Sequence, residues 1–133
     1  MGDRMTKPAL DVGIVANDAV PLISFYRDAF GFKEQEALEI PGSGTIHKLS
    51  WGESLLRIFV PTAPARPVAV EEGFAARCGY RYAFLEVSDV KSTAAAAKEV
   101  GGTILLEPFE LRPGRWVCQI ADPDGNVVEI GQG

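Results

Sequence analysis

Residues 10–31 read LDVGIVANDAVPLISFYRDAFG, and residues 81–102 read RYAFLEVSDVKSTAAAAKEVGG. Each stretch combines a short run of alternating apolar residues, a polar pair that ends in Asp, and a helically spaced segment closed by Gly. The two stretches are offset by 71 residues, so Asp18 corresponds to Asp89. Because one strand–helix unit cannot bury its own apolar face, the repeat predicts two similar modules that complete one fold.

The residues that follow each repeat predict three more strands in each module. The first module has predicted strands near 9–16, 32–39, 45–51 and 54–60, with a helix that begins after Asn17 or Asp18 and ends at Gly31. The second has predicted strands near 80–87, 103–107, 114–121 and 126–131, with a helix over 89–100. The predicted fold class is therefore α+β, with the order βαβββ occurring twice.

The length of 133 residues suits one domain with a real core. We expect a single domain over residues 1–133, with module 1 at about 8–61 and module 2 at about 80–132. A proline-containing linker over 62–79 separates the modules.

Composition narrows the classes of partner. The net charge of −5 argues against binding to nucleic acid or to an anionic membrane surface, which need basic patches. No apolar run approaches the roughly 20 residues that span a bilayer, and the first residues show no hydrophobic signal region, so a cytoplasmic protein is expected. Cys78 and Cys118 lack the spacing of a zinc site, and Cys118 is predicted to be a buried core thiol.

The doubled βαβββ order, with the closing segment DPDGNVVEIGQ at 122–132, resembles the vicinal oxygen chelate superfamily. That superfamily includes glyoxalase I, methylmalonyl-CoA epimerase, extradiol dioxygenases, and the bleomycin- and fosfomycin-resistance proteins. The resemblance covers residues from about Ala9 to Gln132. It implies that each module forms a cupped mixed sheet, with a cleft between modules. It also implies a homodimer, although the sequence leaves open whether modules pair within or between chains.

The resemblance further implies four positions where the metalloenzymes hold a divalent cation. They correspond here to Asp11, Arg57, Tyr82 and Glu129. Arg57 has no acceptor atom and a permanent positive charge, and Tyr82 is a poor donor while its phenol is protonated. We therefore expect no metal site and no cofactor. A metal held by Asp11, Glu129 and a third ligand is possible but disfavoured.

Strand alternation predicts which side chains face the cup. If Gly52-Glu53 forms a two-residue turn, Lys48 pairs with Arg57, and His47 points to the helix-covered face. A slip of one residue would reverse this, so the orientation of His47 stays open. The candidate ligand-binding residues are Lys48, Arg57, Phe59, Tyr82, Phe84, Gln119 and Glu129.

Two functions from different classes follow. The first is a metal-independent protein that binds a small amphipathic or aromatic molecule in the cup, with Arg57 also able to pair with Asp11 or Glu129. The alternative is a glyoxalase-, epimerase- or dioxygenase-like enzyme, and hence a lyase, isomerase or dioxygenase. Its catalytic candidates are Glu129, Asp11 and Tyr82. A carboxylate beside Arg57 has a lowered pKa and is a weak base, which favours binding over catalysis.

The segment over 107–115, EPFELRPGR, lies where the resemblance implies a loop over the cleft. Its arginines, Arg112 and Arg115, are candidates to meet an acidic ligand, although solvated side chains are the common state of arginine. A catalytically silent interaction domain is a third possibility.

Overall fold

Each module is a four-stranded sheet with one helix packed on it. The structure is a computed structural model and describes residues 4–67 and 73–133. The elements are β1 (Val12–Val15), α1 (Val20–Phe30), β2 (Lys33–Ile40), β3 (Gly44–Trp51), β4 (Ser54–Pro61), β5 (Tyr82–Glu86), α2 (Val90–Glu99), β6 (Thr103–Arg112), β7 (Arg115–Ala121) and β8 (Val127–Gln132). A short 3₁₀ turn covers Phe74–Ala76. The predicted α+β fold with two βαβββ modules is confirmed.

Aspartates at matching places of the repeat start both helices. The Asp89 side chain accepts hydrogen bonds from the backbone N–H groups of Lys91 and Ser92, which otherwise have no partner in the first turn of α2. In the first module, Asp18 accepts from the N–H of Val20. Neither helix, in the part of the chain that the structure describes, is long and apolar enough to cross a membrane.

The strand order is β1-β4-β3-β2 in the N-terminal sheet and β5-β8-β7-β6 in the C-terminal sheet. The first strand of each module runs parallel to the last, and the other pairs are antiparallel. Lys48 lies opposite Arg57 and His47 opposite the buried Ile58, which confirms the predicted register. His47 is half-buried and shares the helix-covered face, so it points away from the predicted cup.

The helix-covered faces of both sheets contribute to one apolar core. Phe25 of α1 is fully buried there, and its ring lies so close to Gly102 that a Cβ at that glycine would sit 2.6 Å from it. The hydroxyl of Tyr26, also in α1, donates a 2.8 Å hydrogen bond to Asp122 of the second module. The two modules are therefore joined through their helices. The opposite face of each sheet, called its front face below, is the face predicted to line the cup.

Two predictions about element bounds need correction. The expected loop over 107–115 is wrong, because β6 continues to Arg112 and forms a tight hairpin with β7. Pro108 is tolerated there because β6 is an edge strand with a register shift between Leu106 and Phe109. Strand β1 is shorter than the predicted 9–16. Part of the predicted linker, residues 68–72, lies outside the described residues.

Candidate functional site

The N-terminal front face carries an ion pair at the predicted metal corner. Asp11, just before β1, accepts a 2.7 Å hydrogen bond from Nζ of Lys7 and a 3.4 Å one from Nη2 of Arg57. The hydrogen bond from Lys7 lowers the pKa of Asp11, and Arg57 lowers it further. The Arg57 side chain is 45% exposed, so this ion pair lies at the surface. Because its pKa is lowered, Asp11 is a poor general base at neutral pH.

Arg57 lies at the centre of a row of front positions. Gly13 of β1 is its neighbour on one side and Lys48 of β3 on the other. Two residues further along the strands, the next row holds Val15, Ile46 and Phe59. The N-terminal front face therefore places cationic groups directly beside an apolar strip.

The C-terminal front face holds its own polar network. Glu129 accepts a 3.1 Å hydrogen bond from Nε2 of Gln119 on the neighbouring strand. Arg115 donates a 2.8 Å hydrogen bond to Glu86, which lowers the pKa of that carboxyl group. The Arg115 guanidinium also lies 5.5 Å from the centre of the Phe84 ring, a cation–π distance. The acid–base pairs of this face are thus arranged within one sheet.

Two aromatic side chains are left largely open to solvent on this face. Tyr82 is 50% exposed and Phe84 is 43% exposed. The Tyr82 ring packs edge-to-face against Phe74, with 5.4 Å between the ring centres. Because Tyr82 and Phe84 share one face of the sheet, they form a candidate surface for contact with another molecule.

The structure divides the predicted site residues between two faces. Lys48, Arg57 and Phe59 share the N-terminal front face with Asp11. Tyr82, Phe84, Gln119 and Glu129 share the C-terminal front face. Arg57 pairs with Asp11 on the first face, and Arg115 pairs with Glu86 on the second. A depression of about 410 Å³ lies away from both, between α2 and β6, and is lined by Lys91 and Lys98 among others.

The four positions that the resemblance implies for a metal do not present the ligands that a divalent cation needs. Arg57 occupies the place in β4 that Glu129 has in β8, and it brings a positive charge where a donor is needed. Asp11 already accepts from two cations. Among the residues of 4–67 and 73–133, no group of three His, Cys, Asp or Glu side chains is arranged to hold a metal ion.

Sequence reasoning did not identify several residues that shape these faces. Lys7 was not considered as a partner of Asp11, because the residues before β1 have no periodic pattern. Arg115 lies on β7, within the predicted strand near 114–121, but no sequence pattern indicates that it donates to Glu86. The need for Gly131 is visible only in the folded structure. A Cβ there would lie 2.7 Å from Arg115 and 2.8 Å from Phe84, so both side chains pack directly against this glycine.

Comparison with known proteins shows matches along almost the whole chain. A family model described as Glyoxalase/Bleomycin resistance protein/Dioxygenase superfamily matches residues 10–130. No curated protein matches the chain.

Solved structures share the fold at low sequence identity. A glyoxalase family protein from Bacillus cereus is 16% identical, with a TM-score of 0.80 over 98% of this chain and 95% of that protein. A glyoxalase/bleomycin resistance protein/dioxygenase family enzyme from Burkholderia phytofirmans is 20% identical, with a TM-score of 0.66 over 92% and 95% of the two chains. A point mutant of glyoxalase I from Zea mays is 27% identical, with a TM-score of 0.71 over 92% of this chain but only 44% of the maize chain.

Proposed function

Since the chain belongs to the Glyoxalase/Bleomycin resistance protein/Dioxygenase superfamily, we propose that it is a metal-independent member that binds a small amphipathic or aromatic organic molecule. The single observation that carries this proposal is the guanidinium of Arg57, which lies at one of the four positions that the family resemblance implies for a metal and is bonded to the carboxylate of Asp11. A permanent cation at that position repels a divalent ion and attracts polar groups of a ligand instead.

The front faces support a binding site of the usual composition, which is apolar walls with a few polar groups. Phe59, Tyr82 and Phe84 supply apolar and aromatic surface. Lys48, Arg57, Gln119 and Glu129 supply polar contacts. We assign these seven side chains to the ligand site.

The site is proposed to be completed by a second copy of the chain. In one chain the aromatic side chains of the C-terminal front face are not covered, since Tyr82 and Phe84 are each about half exposed. A homodimer in which the N-terminal front face of one protomer meets the C-terminal front face of its partner would cover both and form two equivalent clefts. Free cysteines at positions 78 and 118 support a cytoplasmic location as part of the same proposal.

Binding is favoured over catalysis by the state of Asp11. Its lowered pKa keeps it ionised but makes it a weak acceptor of a substrate proton. A glyoxalase-, epimerase- or dioxygenase-like enzyme is the second candidate, and the 27% identity to the maize glyoxalase I mutant favours it. In that case Glu129 is the better candidate base, with Asp11 and Tyr82 as the other catalytic candidates.

The experiment combines metal analysis with a ligand screen on the full chain. Protein purified without chelators is expected to contain far less than one Zn, Ni, Mn or Fe per chain. A library of small aromatic and amphipathic compounds is expected to include compounds that raise the melting temperature, because a ligand that binds only the folded state stabilises it. Stoichiometric metal, or turnover of a glyoxalase substrate, would overturn the proposal in favour of the enzyme. Light scattering checks the homodimer separately.

A further inference from the structure

The N-terminal front face is basic in a chain whose net charge is −5. Lys48 lies opposite Arg57 across the β3–β4 ladder, and Lys33 lies opposite Ser50 on the same face. Asp11 supplies a carboxylate here, but it already accepts a hydrogen bond from Lys7 as well as from Arg57. Positive charge therefore exceeds negative charge at this face.

The C-terminal front face differs in this respect. Arg115 pairs with Glu86, and it also lies near Glu129, whose charge helps to raise the pKa of the arginine. Its positive charge is thus balanced by carboxylates of the same sheet. Of the two faces, the N-terminal one is the better place for an anion.

Gly13 leaves open space next to the strand position of Arg57. Its strand position is directly next to Arg57, and a Cβ built on it would meet no atom within 4 Å. The matching position in the second module is Phe84, which lies next to Glu129. Where the second module has an aromatic ring, the first therefore has room for a ligand group next to the position of Arg57, with Lys48 on the strand beyond it.

An apolar strip lies one row further along the strands. Val15, Phe59 and Ile46 are adjacent across β1, β4 and β3. Because residues on one face of a strand repeat every second position, this row lies roughly 7 Å from the row of Arg57. A molecule with a charged head and an apolar body of a few carbon atoms would match both rows.

We propose that the ligand of this protein is an organic carboxylate, with the carboxylate over Gly13 held by Arg57 and Lys48, and the apolar body on Phe59 and Val15. This inference rests on the proposed function and names its ligand class. The planar guanidinium donates two parallel hydrogen bonds to a carboxylate, a geometry that a lysine cannot reproduce. Arg57 thus supplies positive charge at one of the positions that the resemblance implies for a metal.

Three probes of similar shape and different charge test the ligand class. Phenylacetate, phenylacetamide and 2-phenylethylamine are titrated into isotope-labelled full-length protein, and backbone amide shifts are followed by NMR. Phenylacetate is expected to shift the amides around Gly13, Arg57 and Phe59. It is expected to bind about tenfold or more tightly than the neutral amide, since a charge-assisted pair contributes about that factor, and the amine is expected not to bind.

Variants test the assigned side chains. Arg57→Gln is expected to weaken phenylacetate binding about tenfold, and Arg57→Lys is expected to restore only part of the loss. Gly13→Val is expected to block binding by filling the space, with the charges unchanged. Lys98→Gln, on the exposed surface of α2, changes the net charge by the same amount as Arg57→Gln and is expected to leave the affinity unchanged.

The outcomes separate this inference from the proposed function. Equal binding of phenylacetate and phenylacetamide, or normal phenylacetate binding by Arg57→Gln, would overturn the carboxylate assignment and leave a metal-independent binding protein intact. Shifts confined to the C-terminal front face, or no binding of phenylacetate at millimolar concentration, would also overturn it. Stoichiometric metal in the purified protein would instead overturn the proposed function.

Discussion

The hydroxyl of Tyr26 in α1 donates a 2.8 Å hydrogen bond to the buried carboxylate of Asp122, at the β7–β8 turn of the other module. Asp122 also accepts hydrogen bonds from the backbone N–H groups of Asp124 and Asn126, and from the Asn126 side chain. One buried aspartate therefore closes the last turn of the chain and fixes it to the first helix.

Replacement of Tyr26 by Phe is expected to lower the free energy of unfolding by about 1–3 kcal/mol. The ring still packs, but Asp122 loses a donor in a place that water does not readily reach. Urea unfolding of wild type and variant measures the difference. Tyr80→Phe is the matched control, because the Tyr80 side chain is fully exposed and should tolerate the change. Equal losses in the two variants would show that the buried hydrogen bond is not the cause.

Because of the same hydroxyl, the free energy of unfolding is expected to depend on pH in the alkaline range. Burial raises the pKa of Tyr26 well above 10, and the nearby charge of Asp122 raises it further. The unfolded chain releases this proton near pH 10, whereas the folded chain keeps it, so stability falls as the pH rises above 10. The difference in unfolding free energy between wild type and Tyr26→Phe should narrow over that range. A constant difference from pH 8 to pH 11 would contradict the assignment.

Two aligned glycines of the repeat are required for different reasons, and only one of these reasons could be predicted from the sequence. Gly31 and Gly102 occupy equivalent places. Gly31 ends α1 with a positive φ of 83°, as expected of a helix terminus. Gly102 is instead needed because Phe25 leaves no room for a Cβ, a long-range contact that no local pattern reveals.

Gly102→Ala is accordingly expected to cost about 1–3 kcal/mol, because its Cβ would lie 2.6 Å from Phe25 and 2.8 Å from the backbone oxygen of Ala97. Gly13→Ala is the matched control: its Cβ would meet nothing within 4 Å, so stability should be unchanged or slightly raised. Thermal unfolding of both variants decides the matter. A normal melting temperature for Gly102→Ala would mean that Phe25 moves aside without loss.

The register of the N-terminal sheet could be predicted because Gly52-Glu53 fixes the hairpin, and every front position of β3 and β4 follows from that turn. The charges that surround Asp11 could not be predicted from the sequence. Alternation along β1 identifies Asp11 as a front position but gives no sign that Lys7 folds back onto it, since the chain before β1 is irregular. Whether the two front faces meet within one chain also could not be predicted, because this depends on how α1 packs against α2.

Arg57→Gln is expected to leave the melting temperature within the scatter of replicate measurements. The Arg57–Asp11 ion pair is exposed, and Asp11 keeps its hydrogen bond from Lys7 when Arg57 is removed. Differential scanning fluorimetry of wild type, Arg57→Gln and Lys98→Gln compares two losses of one positive charge. A large drop for Arg57→Gln alone would show that the pair is structural and would weaken its assignment to the ligand site.

The two cysteines are expected to differ in reactivity with a thiol reagent. Cys118 is fully buried in β7, and burial together with the charge of Glu107 raises the pKa of its thiol to about 11. It is therefore both inaccessible and protonated at neutral pH, whereas Cys78 is free and exposed. Native protein should release one equivalent of chromophore from Ellman's reagent, and denatured protein should release two. Cys78→Ser should abolish the native reaction.

Placing metal-binding side chains at positions 57 and 82 tests whether Arg57 and Tyr82 are what prevents metal binding. The double variant Arg57→Glu/Tyr82→His presents three carboxylates, two of them from Asp11 and Glu129, and one imidazole at the four positions, a donor set that suits Zn²⁺ or Mn²⁺. The four positions lie on two separate front faces, so the variant should bind metal only where the proposed homodimer brings these faces together, with up to one ion for each cleft. Equilibrium dialysis against zinc, with Lys98→Glu as the control for added negative charge, measures the gain. No more zinc in the double variant than in Lys98→Glu would show that the four positions are too far apart to act together, and that the cation of Arg57 alone did not abolish the site.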